Sequence, residues 1–318
     1  MKRSIDLEQA PFDSHLAEGP AVSEAFWILT EDNVRLRVVQ WPNTHPSKGT
    51  IFLFQGRTEN LEKYGRAATV LHKMGYSVFA IDWRGQGMSD RLSSDPMLGH
   101  IASYGEYQKD VSAMLETAAA LSIPKPWFIL GHSLGACIGL RTVSSASDFS
   151  ACAFTAPLWG INLPRYKKAA AWPLAWAAQL VGKAQAYAPG TKAESYVLNT
   201  SFSENRLTHD PEMYDYYVRI SEGLPDQQLG GPSMGWLLQT LKETRALAAL
   251  PAPNIPCHAF CGAEDTIVAV DAVKKRMENW QDGLFTTIPN ARHDLLCETD
   301  EIRATVFNAI DKLFSEAA

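Results

Sequence analysis

Ser133 lies in a run of residues whose types and spacing favour nucleophilic catalysis. The apolar stretch 127–130 is followed by Gly-His-Ser-Leu-Gly at 131–135 and then by residues typical of a helix. A serine at the tip of a strained turn between a strand and a helix needs small neighbours, which Gly131 and Gly135 provide. The pattern therefore predicts that Ser133 is a nucleophile for acyl transfer.

A second copy of the same five-residue pattern occurs at 231–235. It contains Ser233, but it follows the polar stretch 224–229 and has Pro232 directly before the serine. The apolar strand that should precede a nucleophile is absent, and proline is a poor strand residue. We expect Ser233 to lie in a tight loop or at a helix start, so the context selects Ser133.

A serine hydroxyl needs a base to accept its proton and an acid to orient that base. His293 follows the predicted strand 284–288, and Asp265 follows the predicted strand 257–261. Each candidate comes just after a strand, and the order along the chain is serine, aspartate, histidine. The sequence therefore predicts a catalytic triad of Ser133, Asp265 and His293.

Other residues near these positions are alternatives for the acid and the base. Glu264 precedes Asp265, but the apolar residues that follow 265 read as the next packed element, which favours Asp265. His209 lies in a helical region and His258 inside a predicted strand, so neither is placed as well as the histidine at 293. Asp294 is expected to be a solvated loop carboxylate.

The substrate carbonyl oxygen becomes negatively charged during attack, and positioned N–H groups stabilise that charge. We expect the Leu134 N–H, at the start of the helix after the nucleophile, to be one donor. The loop 54–60 after the third strand supplies the other, and we expect it to be the Arg57 N–H. Gly56 is then the residue that lets the loop turn.

Apolar runs of strand length alternate with segments of helical period, which predicts a mostly parallel sheet covered by helices. The first two strands form a hairpin, and the composition between the sixth and seventh strands shifts to helical spacing. The predicted strands are 25–30, 34–40, 51–54, 77–82, 127–130, 151–155, 257–261 and 284–288. The predicted helices include 61–74, 104–121, the segment after Ser133, 270–280 and 299–315.

The division into domains follows from that shift in composition. We expect residues 159–245 to form a helical cap inserted into a core made of residues 1–158 and 246–318.

Composition limits the class of protein. The chain of 318 residues is 46% hydrophobic and 20% charged, as in ordinary globular proteins. A net charge of −6 argues against a nucleic-acid partner. Acidic residues near the N-terminus stand where an export signal would have its apolar segment. The apolar region 169–181 is too short to span a membrane comfortably. The 5 cysteines are scattered along the chain, which does not indicate a disulfide framework. We expect a cytoplasmic protein without disulfides.

With these residues assembled, the chain resembles the α/β-hydrolase superfamily and, within it, the bacterial lysophospholipase and monoacylglycerol lipase group. Besides 131–135, the segment 80–89 resembles that group's Asp-x-Arg-Gly-x-Gly-x-Ser turn. The cap segments 205–213 and 229–236 resemble a lysophospholipase pattern. One departure is Gln55, which stands where many relatives have the histidine of a His-Gly pair; the backbone role of the loop is expected to survive.

The resemblance implies an α/β-hydrolase fold with an eight-stranded, mostly parallel sheet, flanking helices and an inserted helical cap. It also implies hydrolysis of a carboxylic ester through an acyl group on Ser133, with no metal and no organic cofactor. Lysophospholipid is the leading substrate. The alternatives are monoacylglycerol, a short-chain ester or thioester, and a non-catalytic binding protein on the same scaffold. The acyl length, the head group and the oligomeric state stay open.

Basic residues stand beside two tryptophans in the segment 165–176, as they do in segments that lie at membrane surfaces. This pattern gives the hypothesis that the cap touches a membrane transiently, at the inner face. Aromatic residues that simply pack against the core would give a similar composition, so both interpretations stay open.

Overall fold

The described residues form one eight-stranded sheet. The computed structural model describes residues 7–43, 48–145 and 148–318, without the side chains of Arg165, Tyr166 and Lys168. The strands are β1 (Glu24–Leu29), β2 (Arg35–Trp41), β3 (Thr50–Phe54), β4 (Ser77–Ile81), β5 (Trp127–His132), β6 (Phe149–Thr155), β7 (Cys257–Gly262) and β8 (Gly283–Ile288). Their order across the sheet is β1-β2-β4-β3-β5-β6-β7-β8.

Strand direction follows the predicted pattern. β1 and β2 form an antiparallel hairpin, and β2 is also antiparallel to β4. Every other pairing, from β4 and β3 through to β7 and β8, is parallel. The hairpin turns through Asn33, whose φ of 61° suits an asparagine. The predicted mostly parallel sheet of eight strands is confirmed.

Helices cover both faces of the sheet. They are α1 (Ser14–Ala17), α2 (Gly65–Lys73), α3 (Gly105–Ala120), α4 (Leu134–Ser144), α5 (Arg165–Leu180), α6 (Pro211–Gly223), α7 (Met234–Ala249), α8 (Val270–Met277) and α9 (Asp300–Glu316). Short 3-10 helices lie at Glu62–Tyr64, Phe202–Glu204, Pro225–Gln227 and Leu295–Cys297. None of the helices within the described ranges is both long enough and apolar enough to span a bilayer.

The strand pleat divides the core into two layers. In β3, Phe52 and Phe54 face a layer that also contains apolar residues of α3, α4 and α8. Ile51 and Leu53 face the opposite layer, which is packed against α2 and α9. Successive side chains of a strand point to opposite faces, so a strand buried on both faces reads as the continuous apolar run seen in the sequence.

The segment between β6 and β7 carries α5, α6 and α7. Apolar residues of α6 pack into the layer beside α2 and α9, and Trp236 and Leu247 of α7 pack into the other layer. The predicted boundary of the cap at residue 245 falls within α7. The division into a core and a cap stays a prediction.

One edge of the sheet collects the predicted site residues. Because parallel strands end at the same edge, the segments that follow β3, β5, β7 and β8 meet there. These segments carry Arg57, Ser133, Asp265 and His293, respectively.

Candidate active site

Ser133 occupies a strained turn between β5 and α4. Its φ of 50° and ψ of −110° are rare for a residue with a side chain. The turn is held by its own backbone, since the Ser133 N–H donates to Thr155 O at 3.0 Å and its carbonyl accepts from the Leu158 N–H at 3.0 Å. A Cβ at Gly135 would overlap the Phe54 carbonyl, so only glycine lets α4 start this close to β3. Strain at one residue, paid for by its surroundings, is common at catalytic sites.

Three predicted residues from distant parts of the chain form a hydrogen-bonded row. His293 Nε2 lies 3.1 Å from Ser133 Oγ, and His293 Nδ1 lies 2.8 Å from Asp265 Oδ2. All three side chains are buried. This is the order needed for proton transfer from the serine to the imidazole, with the carboxylate holding the imidazole in place.

Asp265 is held as an anion. Its Oδ1 accepts the N–H groups of Ile267 at 2.7 Å and Val268 at 3.1 Å. Burial alone would raise the pKa of Asp265, but the hydrogen bond and charge of His293 and these two N–H groups outweigh it and keep the pKa below its ordinary value. An ionised Asp265 can accept the His293 Nδ1–H and leave Nε2 facing the serine.

The loop after β3 lies next to Ser133 in the lining of one cavity, and its backbone N–H groups are of interest. The Gly56 N–H donates to Glu59 Oε2 at 2.5 Å, and the Thr58 N–H donates to Gln86 Oε1 at 2.8 Å. Between them, the Arg57 N–H has no acceptor among the residues that the structure describes, and the same holds for the Leu134 N–H at the start of α4. These are the two donors that the sequence predicts for the carbonyl oxygen of a substrate.

Gln55, which departs from the pattern of the resemblance, lies in the scaffold of this loop. Its side chain donates to Asp82 Oδ1 at 3.1 Å, and its carbonyl accepts from Trp83 Nε1 at 3.0 Å. The turn 80–89 is structural as well, since Asp82 accepts the Met88 N–H at 3.0 Å. The glutamine therefore supports the backbone of the loop.

The structure separates the alternatives from the row of three. Ser233 is the N-cap of α7, where its Oγ accepts the Trp236 N–H at 2.9 Å, as the sequence predicts for a helix start. Glu264 is exposed, and its Oε2 lies 3.2 Å from His209 Nε2. His258 lies in β7 and bonds Thr286.

The prediction that Asp294 is a solvated loop carboxylate is wrong. Asp294 is buried, and its Oδ2 accepts hydrogen bonds from Lys63 Nζ and, at 2.6 Å, from the Tyr217 hydroxyl. Lys63 also pairs with Glu59. This cluster was not predicted from the sequence. The feature that could have indicated it is the presence of charged residues in the predicted helix 61–74, next to a loop of the site.

A cavity of about 750 Å³ opens next to Ser133 and His293. Its lining combines residues of the sheet edge with residues of the segment between β6 and β7. Among them are Arg57, Leu158, Ile161, Val197, Tyr217 and Trp236. The volume is in the range of sites for organic ligands of substantial size.

Comparison with known proteins identifies the family of this chain. A protein-family model described as "Serine aminopeptidase, S33" matches residues 45–300, most of the chain. The chain belongs to the serine aminopeptidase S33 family. Members of this family are serine hydrolases, so the prediction of an enzyme is confirmed, and the alternative of a non-catalytic binding protein loses its support.

Similar proteins come from bacteria and eukaryotes. Lysophospholipase L2 of Escherichia coli K12 is 28% identical over 298 residues, which cover 89% of this chain and 85% of that protein. Monoglyceride lipase of Rattus norvegicus is 24% identical over 288 residues, which cover 89% of this chain and 88% of that protein. These S33 relatives confirm the resemblance to the lysophospholipase and monoacylglycerol lipase group.

A solved structure confirms the fold. A soluble variant of monoglyceride lipase from Saccharomyces cerevisiae, in complex with a substrate analogue, matches this chain with a TM-score of 0.71 at 20% identity. The match covers 98% of this chain and 96% of that chain. The protein therefore has the α/β-hydrolase fold, as the sequence predicts.

Proposed function

We propose that the protein hydrolyses the ester bond of lysophospholipids. The observation that carries the proposal is the row of Ser133, His293 and Asp265 beside a cavity of about 750 Å³. The name of the Escherichia coli relative, lysophospholipase L2, supports the choice of substrate.

In the proposed reaction, Ser133 Oγ attacks the ester carbonyl carbon while His293 Nε2 accepts the hydroxyl proton. The bond between the carbonyl carbon and the glycerol oxygen then breaks, His293 donates the proton to that oxygen, and the acyl group stays on Ser133. Water attacks the acyl group with His293 again as base. The fatty acid leaves, and the serine hydroxyl is restored.

The negative oxygen of each tetrahedral intermediate would lie between the Arg57 and Leu134 N–H groups. The Leu134 N–H belongs to the first residue of α4, and the Arg57 N–H lies between two loop N–H groups that are held by hydrogen bonds, so both donors need little reorganisation when the charge appears. Loss of one such donor costs about 10²–10³ in kcat in serine hydrolases. Because the side chains do not provide these hydrogen atoms, a side-chain substitution at 57 or 134 keeps them.

The surroundings of the Arg57 side chain favour a substrate with an anionic head group. It donates from one terminal nitrogen to Gly230 O at 2.5 Å and lies over the Trp236 ring at 5.3 Å. Its Nε is buried without a partner, and no carboxylate pairs with the guanidinium in the described part of the chain. Burial lowers the pKa of Arg57 to about 10, which leaves it positively charged near neutral pH. A phosphate group would supply the missing negative charge.

Monoacylglycerol is the second candidate, and the rat and yeast relatives named monoglyceride lipase favour it. A neutral glycerol head group would leave Arg57 without a counter-charge. A short-chain ester would fill only part of the cavity. These two points favour lysophospholipid over both alternatives.

Release of fatty acid from oleoyl lysophosphatidylcholine, 1-monooleoylglycerol and a nitrophenyl butyrate tests the proposal, with wild type and Ser133→Ala compared. The two lipids share one acyl chain, so they differ only in the head group. We expect serine-dependent turnover with the highest kcat/KM on the lysophospholipid. A higher kcat/KM on monooleoylglycerol or on the butyrate would contradict the proposal and identify that compound as the preferred substrate class.

Arg57→Gln isolates the effect of the head group because it keeps the backbone N–H. We expect the ratio of kcat/KM for lysophosphatidylcholine to that for monooleoylglycerol to fall about tenfold. Both substrates pass through the same acyl-enzyme, so a general disturbance of the loop would lower both values and leave the ratio unchanged. An unchanged ratio would contradict the role of Arg57.

We also propose that the cap touches a membrane surface, at the cytoplasmic face, when it collects its substrate. Part of the segment that motivated this hypothesis, the side chains of Arg165, Tyr166 and Lys168, lies outside the described residues. Support comes from large apolar side chains that are exposed on α5 and just after it. They are Leu174, Trp176, Leu180 and Val181.

Flotation with anionic vesicles tests membrane contact. We expect wild type to float with the vesicles and the double variant Trp176→Ser, Leu180→Ser to stay behind. Leu29→Ser, which removes an exposed leucine on β1, is the matched control and should float as wild type does. Equal recovery of all three proteins would contradict contact through the cap.

A further inference from the structure

A cluster of buried polar side chains lies beside the proposed triad, and the reaction above does not use it. It surrounds His132, whose ring centroid lies 5.0 Å from that of His293. We name it the Lys63 cluster. Its members are Glu59, Lys63, Tyr64, His132, Tyr217 and Asp294.

Lys63 joins two carboxylates at the centre of the cluster. Its Nζ donates to Glu59 Oε1 and to Asp294 Oδ2. Burial alone would lower the pKa of Lys63, but the charges of Asp294 and Glu59 outweigh it and raise the pKa well above its ordinary value. Burial lowers the pKa of His132. With a neutral His132, the cluster carries two negative charges and one positive charge.

Glu59 connects the cluster to the loop after β3. Its Oε2 accepts the Gly56 N–H and the Tyr64 hydroxyl, each at 2.5 Å. Gly56 directly precedes Arg57, whose N–H is a proposed donor to the substrate oxygen. The position of Glu59 therefore fixes the peptide that leads into that donor.

Asp294 connects the cluster to the loop after β8, because it directly follows His293. The Asp294 N–H donates to Leu207 O at 2.8 Å, and its side chain accepts from Tyr217 on α6 at 2.6 Å. Burying a carboxylate costs several kcal/mol unless it is paired, and Lys63 supplies the opposite charge. Without Lys63, the negative charge of this carboxylate would be left unpaired beside the proposed triad.

Glu59, His132 and Asp294 also have the donor types of a metal site, since their ligand atoms lie within 4.8 Å of one another. The ammonium group of Lys63 already contacts both carboxylates. It supplies the positive charge that a metal ion would bring. The cluster is therefore built around a lysine.

We propose that Lys63 is a positioning residue. It holds the loop that carries His293 and the loop that carries the Arg57 N–H in the relative position that acylation of Ser133 needs. It acts through Asp294 on the first loop and through Glu59 on the second. The proposal rests on the proposed function, because it concerns the same site. A misplacement of about 1 Å in such a site costs about 10²-fold in rate.

Kinetics of three variants test the proposal. Lys63→Met removes the charge and keeps the length, Lys63→Arg keeps the charge, and Tyr217→Phe removes one hydroxyl from the cluster. We expect kcat on nitrophenyl butyrate to fall about 10²-fold in Lys63→Met and about 10-fold in Tyr217→Phe, with KM within threefold of wild type. Lys63→Arg should recover most of the loss.

Tyr214→Phe is the matched control. Tyr214 also lies on α6, but its hydroxyl donates to Thr200 O at 2.8 Å, away from the cluster. We expect its kcat to equal that of wild type. If Tyr214→Phe and Tyr217→Phe were equally impaired, the effect would belong to α6 as a whole and the proposal would be overturned.

The pH profile of kcat/KM separates positioning by charge from a general loss of structure. Lys63→Met should shift the acidic limb to higher pH, because it removes the positive charge of the cluster and leaves an unpaired negative charge beside the proposed triad. Lys63→Arg should leave the limb in place. Lys63 faces Glu59, Tyr64, Tyr217, Asp294 and Cys297, and His293 faces Ser133, Asp265 and His132.

Labelling of Ser133 by a fluorophosphonate keeps the test independent of the substrate. If wild type reacts with the phosphonate but hydrolyses no lipid, the proposed substrate is wrong and the labelling rates of the variants still test Lys63. If Lys63→Met does not fold, Tyr217→Phe and Lys63→Arg carry the test. Folded Lys63→Met with a wild-type labelling rate, kcat and pH profile would overturn the proposal.

Discussion

At the scale of single residues, the site combines one strained residue with one well-supported acid. Ser133 has a positive φ because it stands where β5 turns sharply into α4. Asp265 is the opposite case, since each of its oxygens has a specific donor. Ser133 is therefore held against its own conformational preference, whereas Asp265 lies in a site that stabilises its charge.

Substitutions at Ser133 should separate activity from stability. Ser133→Ala and Ser133→Gly should both lower kcat by about 10⁴–10⁶-fold, because both remove the hydroxyl of the proposed nucleophile. Glycine tolerates a φ of 50°, so Ser133→Gly should be more stable than Ser133→Ala by about 1 kcal/mol. Urea unfolding and fatty-acid release measure the two effects. Equal stability of the two variants would show that the turn is not strained.

Asp265→Asn should affect both catalysis and the dependence of stability on pH. An asparagine favours the wrong tautomer of His293, so kcat should fall about 10⁴-fold. The pKa of Asp265 is lower in the folded chain than in the unfolded chain. Its ionisation therefore stabilises the fold above pH about 4, and this contribution disappears as the pH falls towards the folded-state pKa.

Unfolding of Asp265→Asn and wild type between pH 3 and pH 7 tests the second effect. We expect the variant to be less stable at pH 7 and the difference to shrink in the acidic range. A difference that stays constant with pH would mean that Asp265 does not gain its stability from ionisation.

At the scale of elements, the site depends on how closely α4 approaches β3. Gly135 makes the approach possible because it has no side chain, and the Leu134 N–H at the start of α4 directly follows Ser133, which lines the cavity. The loop after β3 then lines the same cavity as Ser133. Its Gly56 is also tightly enclosed, since a Cβ there would lie 2.7 Å from Glu59 Oε2 and 3.0 Å from the His132 ring.

Gly135→Ala should disrupt this approach. Its methyl group would overlap the Phe54 carbonyl, and backbone cannot move aside as a flexible side chain can. We expect a loss of about 3 kcal/mol or more in the free energy of unfolding, together with loss of activity. Gly105→Ala is the control, because its Cβ would meet only Ser103 Oγ at 3.5 Å. A Gly135→Ala protein as stable as Gly105→Ala would contradict the tight approach.

Much of this arrangement could be predicted from the sequence. The strand pattern predicted the fold, because strands of a parallel sheet are buried on both faces and read as apolar runs. Ser133, Asp265 and His293 could be selected because each of them follows a predicted strand. The burial of Asp294 could not be predicted, since its partner Lys63 lies 231 residues away along the chain and no local pattern links the two.

At the scale of the whole molecule, one buried arginine connects distant parts of the chain. Arg37 on β2 pairs with Asp82 at 2.8 Å and with Glu62 at 2.7 Å, and these three side chains are fully buried. Its guanidinium also donates to Pro11 O and to Gln227 Oε1, each at 2.9 Å. The N-terminal segment, the sheet and the segment between β6 and β7 therefore share a single network of ion pairs and hydrogen bonds.

Arg37→Met should destabilise the entire protein. It leaves two buried carboxylates without their cation, and loss of one partner of a buried pair costs about 3–5 kcal/mol. Lys312→Met, which removes the cation of an exposed pair with Glu316, should leave the free energy of unfolding unchanged within error. Urea unfolding measures both. Similar small losses in the two variants would mean that the Arg37 network does not support the fold.

Two helices of the segment between β6 and β7, α5 and α6, are held very differently. On α6, the Tyr216 hydroxyl donates to Ala17 O at 2.7 Å and to Glu62 O at 2.9 Å, deep in the protein. α5 packs with small residues such as Ala175 against α7 and leaves Trp176 exposed. Amide hydrogens of α6 should therefore exchange with deuterium only when the whole protein unfolds, whereas those of α5 should exchange through local opening. The cavity would then keep a fixed wall, because Tyr217 and Ile220 of α6 line it, while the opening motion is confined to α5.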